Sequence, residues 1–402
     1  MKSARRNLPL DVLRGVAVLL VFGRHLELPR PPGIAGHFAE AWFRLGWLGV
    51  DLFFVLSGFL IGGLLLSEVQ HHGRIDIPRF FVRRGLKIYP PYLAFIAYLI
   101  LMPAAKAVRN GGSAGAALAS EWDRYWPNLL FLQNYVGSNP AGHTWTLAVE
   151  EHFYLMLPFV LAGLLAVNRI HAVLPLFLAA VPLLILALRC ASVITQDSFS
   201  VRMAASHLRL DALLFGVGIR GVAQFANDRF QLARNWRGVL CLAGCALWSV
   251  NLVLEPSSAL IRTVGLTGTY LGSAAFLLAT FHTRSSDFGS LSRPVRTLAS
   301  ILAWIGVYSY AIYLWHVTAL GILGREMGQR IFGGIGQVSP FGWMVATALM
   351  CAGAVVVGVI ANKLVEWPIL QFRDRLFPSR SQPLPAIAAG EPRAALVGSI
   401  HG

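Results

Sequence analysis

Long apolar runs separated by short segments that carry arginine recur along the whole chain. About 20 apolar residues in a helix match a hydrocarbon layer about 30 Å thick, so such runs are read as membrane spans. We read ten: Pro9 to Leu26, Trp47 to Leu66, Tyr89 to Val108, Thr144 to Val167, Ala172 to Cys190, Ser206 to Gln224, Gly238 to Leu254, Leu260 to Phe281, Leu298 to Leu320 and Phe341 to Val365. The expected fold is all-α. It is a polytopic membrane protein of about ten helices around an intramembrane cavity, covering residues 1–376. Residues 377–402, rich in Pro, Ser, Ala and Arg, read as a disordered cytoplasmic tail.

Charge decides the orientation. Only 13% of residues are charged, and the net charge of +15 is carried almost wholly by arginine; a soluble domain carries about 25% charged residues. The arginines sit in the connections, Arg74 to Lys87, Asp228 to Arg237 and His282 to Arg296, rather than on a soluble basic face. That pattern predicts cytoplasmic loops, two cytoplasmic termini and no nucleic-acid partner. The segment Met1–Arg6 resembles the front of a signal peptide. The run behind it contains Arg14 and lacks a small-residue cleavage site, so it is expected to stay as the first span. The segment from Arg109 to His143 is expected on the far side, with Trp122, Tyr125 and Trp126 at the interface. Cys190, Cys241, Cys245 and Cys351 fall in apolar runs without metal-ligand spacing and read as buried small hydrophobes.

The candidate chemistry starts on the first span. Eleven helical steps separate Arg14 from His25, which places both on one face about 16 Å apart along the axis, with Asp11 one turn before Arg14 on the same stripe. Polar groups in a span tend to face a cavity or a partner. Asp51 and Ser57 sit in the second span, where Ser57-Gly58 is either a packing notch or a hydroxyl lining a cavity. Arg83, Arg84, Lys87 and Tyr89 concentrate cations where the chain re-enters the membrane. They anchor the positive side, and their forked donors also suit phosphates. His143, Trp145, Glu150, Glu151 and His152 cluster at the start of the fourth span. Adjacent carboxylates diverge by about 100° on a helix, so one of them is open to pairing with Arg14, Arg84 or Arg209. Tyr313 and His316 could line the same cavity from the ninth span, and Glu366-Trp367-Pro368 closes the last one.

These segments together resemble the integral-membrane acyltransferase-3 family, whose members O-acylate sugars and some lipids or antibiotics. The resemblance covers Pro9 to Phe377. It rests on Arg14 with ten residues before His25, on Phe-Phe-x-x-Ser-Gly at Phe53 to Gly58, and on the Arg-rich segment ending in Ile-x-Pro from Arg84 to Pro90. It rests further on Trp145 to Tyr154 and on Tyr310 to His316. Two positions depart: His152 stands where the family has Gln, and Lys87 where it has Arg, keeping the charge without the fork.

The resemblance implies an O-acyltransferase, acetyl in the simplest case, with cytoplasmic acyl-CoA as donor substrate, no bound cofactor and no metal. The acceptor would be a hydroxyl of a glycan, glycolipid or related small molecule, as in modification of a surface polysaccharide. His25 would be the base, with Arg14 and Glu151 completing the catalytic set. Arg83, Arg84, Lys87 and Tyr89 would bind the donor. Asp11, Asp51, Ser57, Trp145, Glu150, Arg209, Tyr313 and His316 would support the cavity. The expected location is a bacterial inner (plasma) membrane, with a homo-oligomer left open. No esterase-like soluble domain is seen in the sequence, so acceptor handling would fall to the membrane domain or a partner. A transporter or flippase of an acylated or glycosylated lipid satisfies the composition equally well. A non-catalytic partner of a glycan assembly machine would leave Arg14 and His25 without a purpose.

Overall fold

A backbone inside hydrocarbon must satisfy its own hydrogen bonds, and helices do so within one segment. The computed structural model describes residues 7–136, 141–167, 170–195, 203–281, 292–332 and 339–378, and no strand occurs among them. The described helices are α1 (Leu8–His25), α2 (Ile34–His72), α3 (Ile77–Arg109), α4 (Ala114–Leu129), α5 (Trp145–Ala166), α6 (Ile170–Ile194) and α7 (Leu210–Phe225). They continue as α8 (Asn227–Leu232), α9 (Arg237–Val253), α10 (Leu266–Phe281), α11 (Arg293–Val307), α12 (Ser309–Phe332), α13 (Pro340–Ala361) and α14 (Trp367–Leu376). Short π-turns, Ile261–Gly265 and Asn362–Glu366, lead into α10 and α14.

The chain is an integral membrane protein. Seven described helical segments are long and apolar enough to cross a membrane, and α11 with α12 makes an eighth if that bent pair is one span. The remaining two of the ten expected spans are α1, which carries Asp11, Arg14 and Arg24, and α7, which has only 16 residues. The expected ninth span is not straight, because α11 and α12 meet at Tyr308 with a bend of 84°. The helices also run further than apolar length alone suggests. With 39 residues α2 is about 58 Å long. It begins 13 residues before the expected second span at Trp47, so Asp51 lies well inside the helix. The basic segment before the third span is helical from Ile77 onward and forms the first turns of α3. The segment from Arg109 to His143 contains α4, where Trp122 and Trp126 are exposed but Tyr125 is buried. Cys190, Cys241 and Cys245 are exposed rather than buried, because their apolar helices turn them away from the protein interior. Met1–Arg6, residues 282–291 of the third basic loop and residues 379–402 of the expected tail lie outside the described residues.

Glycine pairs set how closely the central helices approach. A Cβ on Gly58 of α2 would fall on the Leu213 backbone of α7, and one on Gly216 of α7 would fall on Val55 and Phe59 of α2. Gly15 of α1 and Gly306 of α11 repeat this reciprocity against Leu302 and Asp11. Without a hydrophobic drive between helices in lipid, such close backbone packing is the main source of association. The Trp42 indole adds a hydrogen bond from α2 to the Leu19 carbonyl of α1, at 2.8 Å. The helix α1 is thereby clamped between α2 and α11, with its His25 end held in place.

Gly58→Val is expected to lower stability by about 1–3 kcal/mol through overpacking at the α2–α7 contact. Gly163→Ala, which meets open space, serves as the control and should not lower it. Thermal unfolding followed by tryptophan fluorescence in detergent compares the two.

Candidate functional site

Three histidines from distant parts of the chain meet at one end of the bundle. His25 is the last residue of α1, His143 lies in the short 3-10 turn Gly142–Thr144, and His316 lies on α12. Ring centroids are 5.0 Å apart for His25 and His316, 5.2 Å for His143 and His316, and 6.5 Å for His25 and His143. His143 and His316 are buried, while His25 is partly exposed. Among the described residues no His, Cys, Asp and Glu group is arranged to hold a metal.

Backbone carbonyls select the tautomers of the two buried rings. His143 Nε2 donates to the Leu314 carbonyl at 3.0 Å, and His316 Nδ1 donates to the Tyr313 carbonyl at 2.6 Å. A carbonyl only accepts, so those nitrogens carry the hydrogen, and in a neutral ring the other nitrogen presents a lone pair. His143 Nδ1 and His316 Nε2 are those nitrogens, and both are buried without a partner. A buried polar atom without a partner calls for an explanation, and a ligand donor is one. The His316 ring is the nearest neighbour of both others, and His25 is the least buried of the three.

The turn that carries His143 is fastened from both sides. Tyr313 Oη donates to the His143 carbonyl at 2.8 Å and shares a 2.7 Å bond with Thr146 Oγ1. Behind it Asn128 Nδ2 donates to Thr144 Oγ1 at 3.1 Å, and Gln133 Nε2 donates to the Thr144 carbonyl at 3.0 Å. Tyr92 Oη joins this network by donating to the Asn128 carbonyl at 3.1 Å. His152, at the family's Gln position, bonds Ser206 Oγ through Nδ1 at 2.6 Å and ties α5 to the turn before α7.

A cavity of about 450 Å³ approaches the same place from the other side. Its lining includes Arg14, Arg83, Arg84, Lys87, Arg220 and Arg373 against a single carboxylate, Glu150. Its walls are apolar, among them Val50, Phe53, Phe54, Leu60, Leu64 and Ile88, and the lining includes Thr146 and Tyr313. Tyr313 thus belongs both to the cavity wall and to the histidine cluster, with its ring 5.2 Å from His316. Behind the cavity wall, buried Tyr154 donates from Oη to Glu150 Oε2 at 2.7 Å and receives Arg84 and Ser57, while the Arg84 guanidinium lies 4.1 Å over the Tyr154 ring. Ser57 therefore lines the cavity as a hydroxyl while Gly58 beside it is the packing notch, so both readings of that dipeptide hold. Arg83 faces Asp374 at 3.4 Å.

Several expected site residues lie apart from this pairing. Arg14 is bonded to Asp11 at 3.0 Å and lines the basic cavity, not the histidine cluster. Glu151 faces Tyr89 and Arg84 and is not brought among the histidines; Tyr89 is 43% exposed and outside the cavity lining. Arg209 does not meet either glutamate. It pairs with Asp51 at 2.8 Å, both buried, and its guanidinium lies 5.6 Å from the Phe54 and Trp145 rings. A second buried pair, Arg189 with Asp211 at 2.6 Å, lies on neighbouring helices.

The comparison with known sequences bears on the whole assembly. A family model described as an acyltransferase domain matches residues 7–363, which include the three histidines and five of the six cavity cations, Arg373 lying beyond it. The chain belongs to the acyltransferase-3 family. Similar members of the family include the peptidoglycan O-acetyltransferase OatA of Listeria monocytogenes, 28% identical over 333 residues, 78% of this chain and 50% of OatA. YrhL of Bacillus subtilis, named as a candidate peptidoglycan O-acetyltransferase, is 28% identical over 344 residues, 80% of this chain and 50% of its own. A Staphylococcus aureus protein named as a candidate O-acetyltransferase is 26% identical over 333 residues, 80% of this chain and 52% of its own. The chain spans about half the length of the curated relatives it matches. No solved structure matches it.

Within this family framework the sequence marks His143 and Tyr154 as part of a cluster without giving either a role, and does not mark Arg220 or Arg373. His143 and Tyr154 stand inside the family's Trp145–Tyr154 segment or two residues before it, and that proximity was the available signal. Nothing local marks Arg220 or Arg373, which reach the cavity only through packing.

Removing one partner of a buried ion pair strands the other charge and costs about 3–5 kcal/mol, whereas replacing both with apolar residues is often neutral. Asp51→Leu and Arg209→Met are each expected to lower the unfolding temperature strongly, and the double variant should recover most of the loss.

Proposed function

We propose that this chain is a membrane O-acyltransferase that uses acyl-CoA, acetyl-CoA in the simplest case, to acylate a glycan hydroxyl. One observation carries the reading: a cavity lined by six cations and by apolar walls includes Tyr313, whose ring also packs on His316 of the three-histidine cluster. Phosphates and a nucleotide suit the basic mouth, because guanidinium forks match phosphate oxygens. The extended thiol arm of the donor suits the apolar walls. The basic end is then the cytoplasmic one, by the positive-inside rule, and the acceptor reaches His25 from the opposite face.

The chemistry needs little beyond positioning and a base, since a thioester is already activated. His25 removes the proton of the acceptor hydroxyl as its oxygen attacks the thioester carbonyl. The C–S bond breaks, and the CoA thiolate takes the proton back from His25, giving an ester and free CoA thiol. The peptidoglycan relatives support a glycan as acceptor, and the acetyl group named for them supports acetyl as the group moved. Arg14, eleven residues before His25 on α1, acts in this reading on the donor, and Glu150 fixes Tyr154, which in turn holds Arg84.

Purified protein in liposomes with acetyl-CoA and a pool of glycans tests this by free-thiol release. Release should depend on acceptor and vanish in His25→Ala. Arg83→Gln should raise the KM for acetyl-CoA by about tenfold, the loss of one charge-assisted contact. A labelled glycan lipid that crosses the membrane unchanged, without thiol release, would replace this reading with a transporter.

A further inference from the structure

Arg24 and His25 leave the end of α1 in different directions. His25 turns to α12 and the Gly142–Thr144 turn. Arg24 turns to α2, where its guanidinium carbon lies 4.1 Å from the Phe43 ring centroid and 5.1 Å from that of Trp47. The two helices touch here, since a Cβ on Gly46 would run into the Arg24 side chain and backbone. The neighbouring cations are neutralised. Arg30 pairs with Glu40 at 2.6 Å, and Arg44 pairs with Glu40 at 2.6 Å and with Glu255 at 2.7 Å. Among the described residues Arg24 has neither a carboxylate nor a hydrogen-bond acceptor. Beside it the Trp47 indole nitrogen is buried without a partner.

Arg24 therefore adjoins the proposed base without an acceptor, and the partnerless Trp47 indole lies against its guanidinium. A guanidinium and an indole N–H can only donate, and the positive charge of the guanidinium favours an anionic oxygen among the acceptors that could meet it. The guanidinium is within electrostatic range of the His25 ring. The Trp47 ring, 6.3 Å from Trp145, connects it to the segment that begins two residues after His143. Stacking on Phe43 and Trp47 holds the guanidinium plane in place and removes part of its water, which strengthens a charge pair relative to one on an open surface.

We propose that Arg24 and Trp47 form a subsite for a carboxylate carried by the acceptor glycan, and that they select anionic over neutral glycans. The proposal rests on the reading of His25 as the base for a glycan hydroxyl. A lipid phosphate offers the same oxyanion chemistry. The acceptor is favoured because Arg24 is half-buried beneath α2 and adjacent in sequence to His25.

The test uses the full chain in phosphatidylcholine nanodiscs with two β-1,4-linked N-acetylhexosamine glycans. One is neutral chitotetraose, and the other is peptide-free N-acetylglucosaminyl–N-acetylmuramic acid strands, whose lactyl groups are carboxylates. Direct binding by calorimetry and acetyl-CoA thiol release are both read. Wild type should prefer the carboxylate-bearing strands, and Arg24→Gln should lower the ratio of their affinity to that for chitotetraose by about tenfold, with partial rescue in Arg24→Lys. An unchanged ratio would overturn the proposal. So would an Arg24 effect that appears only in phosphatidylglycerol nanodiscs and ignores the carboxylate, since the anion would then be a lipid headgroup. Arg24-dependent, carboxylate-selective binding without any thiol release would uphold the subsite while refuting the acyltransferase reading.

Discussion

A guanidinium inside a hydrocarbon layer must be paired with a carboxylate or opened to a polar cavity, because neither lipid nor a packed apolar core can solvate it. This chain does both, and the division organises the molecule. Arg189 and Arg209 are among the largest fully buried side chains, and each is neutralised by an aspartate at hydrogen-bond distance. Arg14, Arg83, Arg84, Lys87, Arg220 and Arg373 converge on one cavity whose lining holds a single carboxylate, with Asp11 beside Arg14 and Asp374 beside Arg83 and Arg373 as partners outside that lining. The paired arginines join helices; the converging cations create a place where a polyanion is favoured. The same residue type builds the frame in one set and a potential in the other.

The histidine cluster depends on that frame. α1 is clamped by glycine contacts to α11 and by an indole hydrogen bond to α2, which holds His25 against His316. The two buried imidazoles are oriented by main-chain carbonyls of α12 rather than by acids. A carbonyl fixes which nitrogen carries the hydrogen without adding a charge, so each ring keeps a lone pair in an apolar setting. Tyr313 links the two halves, since its hydroxyl holds the His143 turn while its ring closes the cavity.

The relatives set this membrane unit in context. They are about twice the length matched by this chain, and the family model's range, residues 7–363, takes in the histidines, five of the six cavity cations and the two buried ion pairs.

Much was legible in the sequence, and its limits are physical. Apolar run length, arginine in the connections and the spacing of Arg14 and His25 determined an all-α membrane protein with a polar first span, since those features depend only on helical periodicity and the cost of burying charge. Local motifs marked Ser57, Arg84, Glu150, Tyr313 and His316. The tertiary structure decided what met what: that Arg209 takes Asp51 and leaves Glu150 to Tyr154, that Glu151 turns to Tyr89, that His143 completes the cluster, and that the chain bends by 84° at Tyr308. Each of these outcomes depends on which helices pack together and at what depth. Periodicity assigns a residue to a face of its own helix; only packing between helices assigns that face a partner.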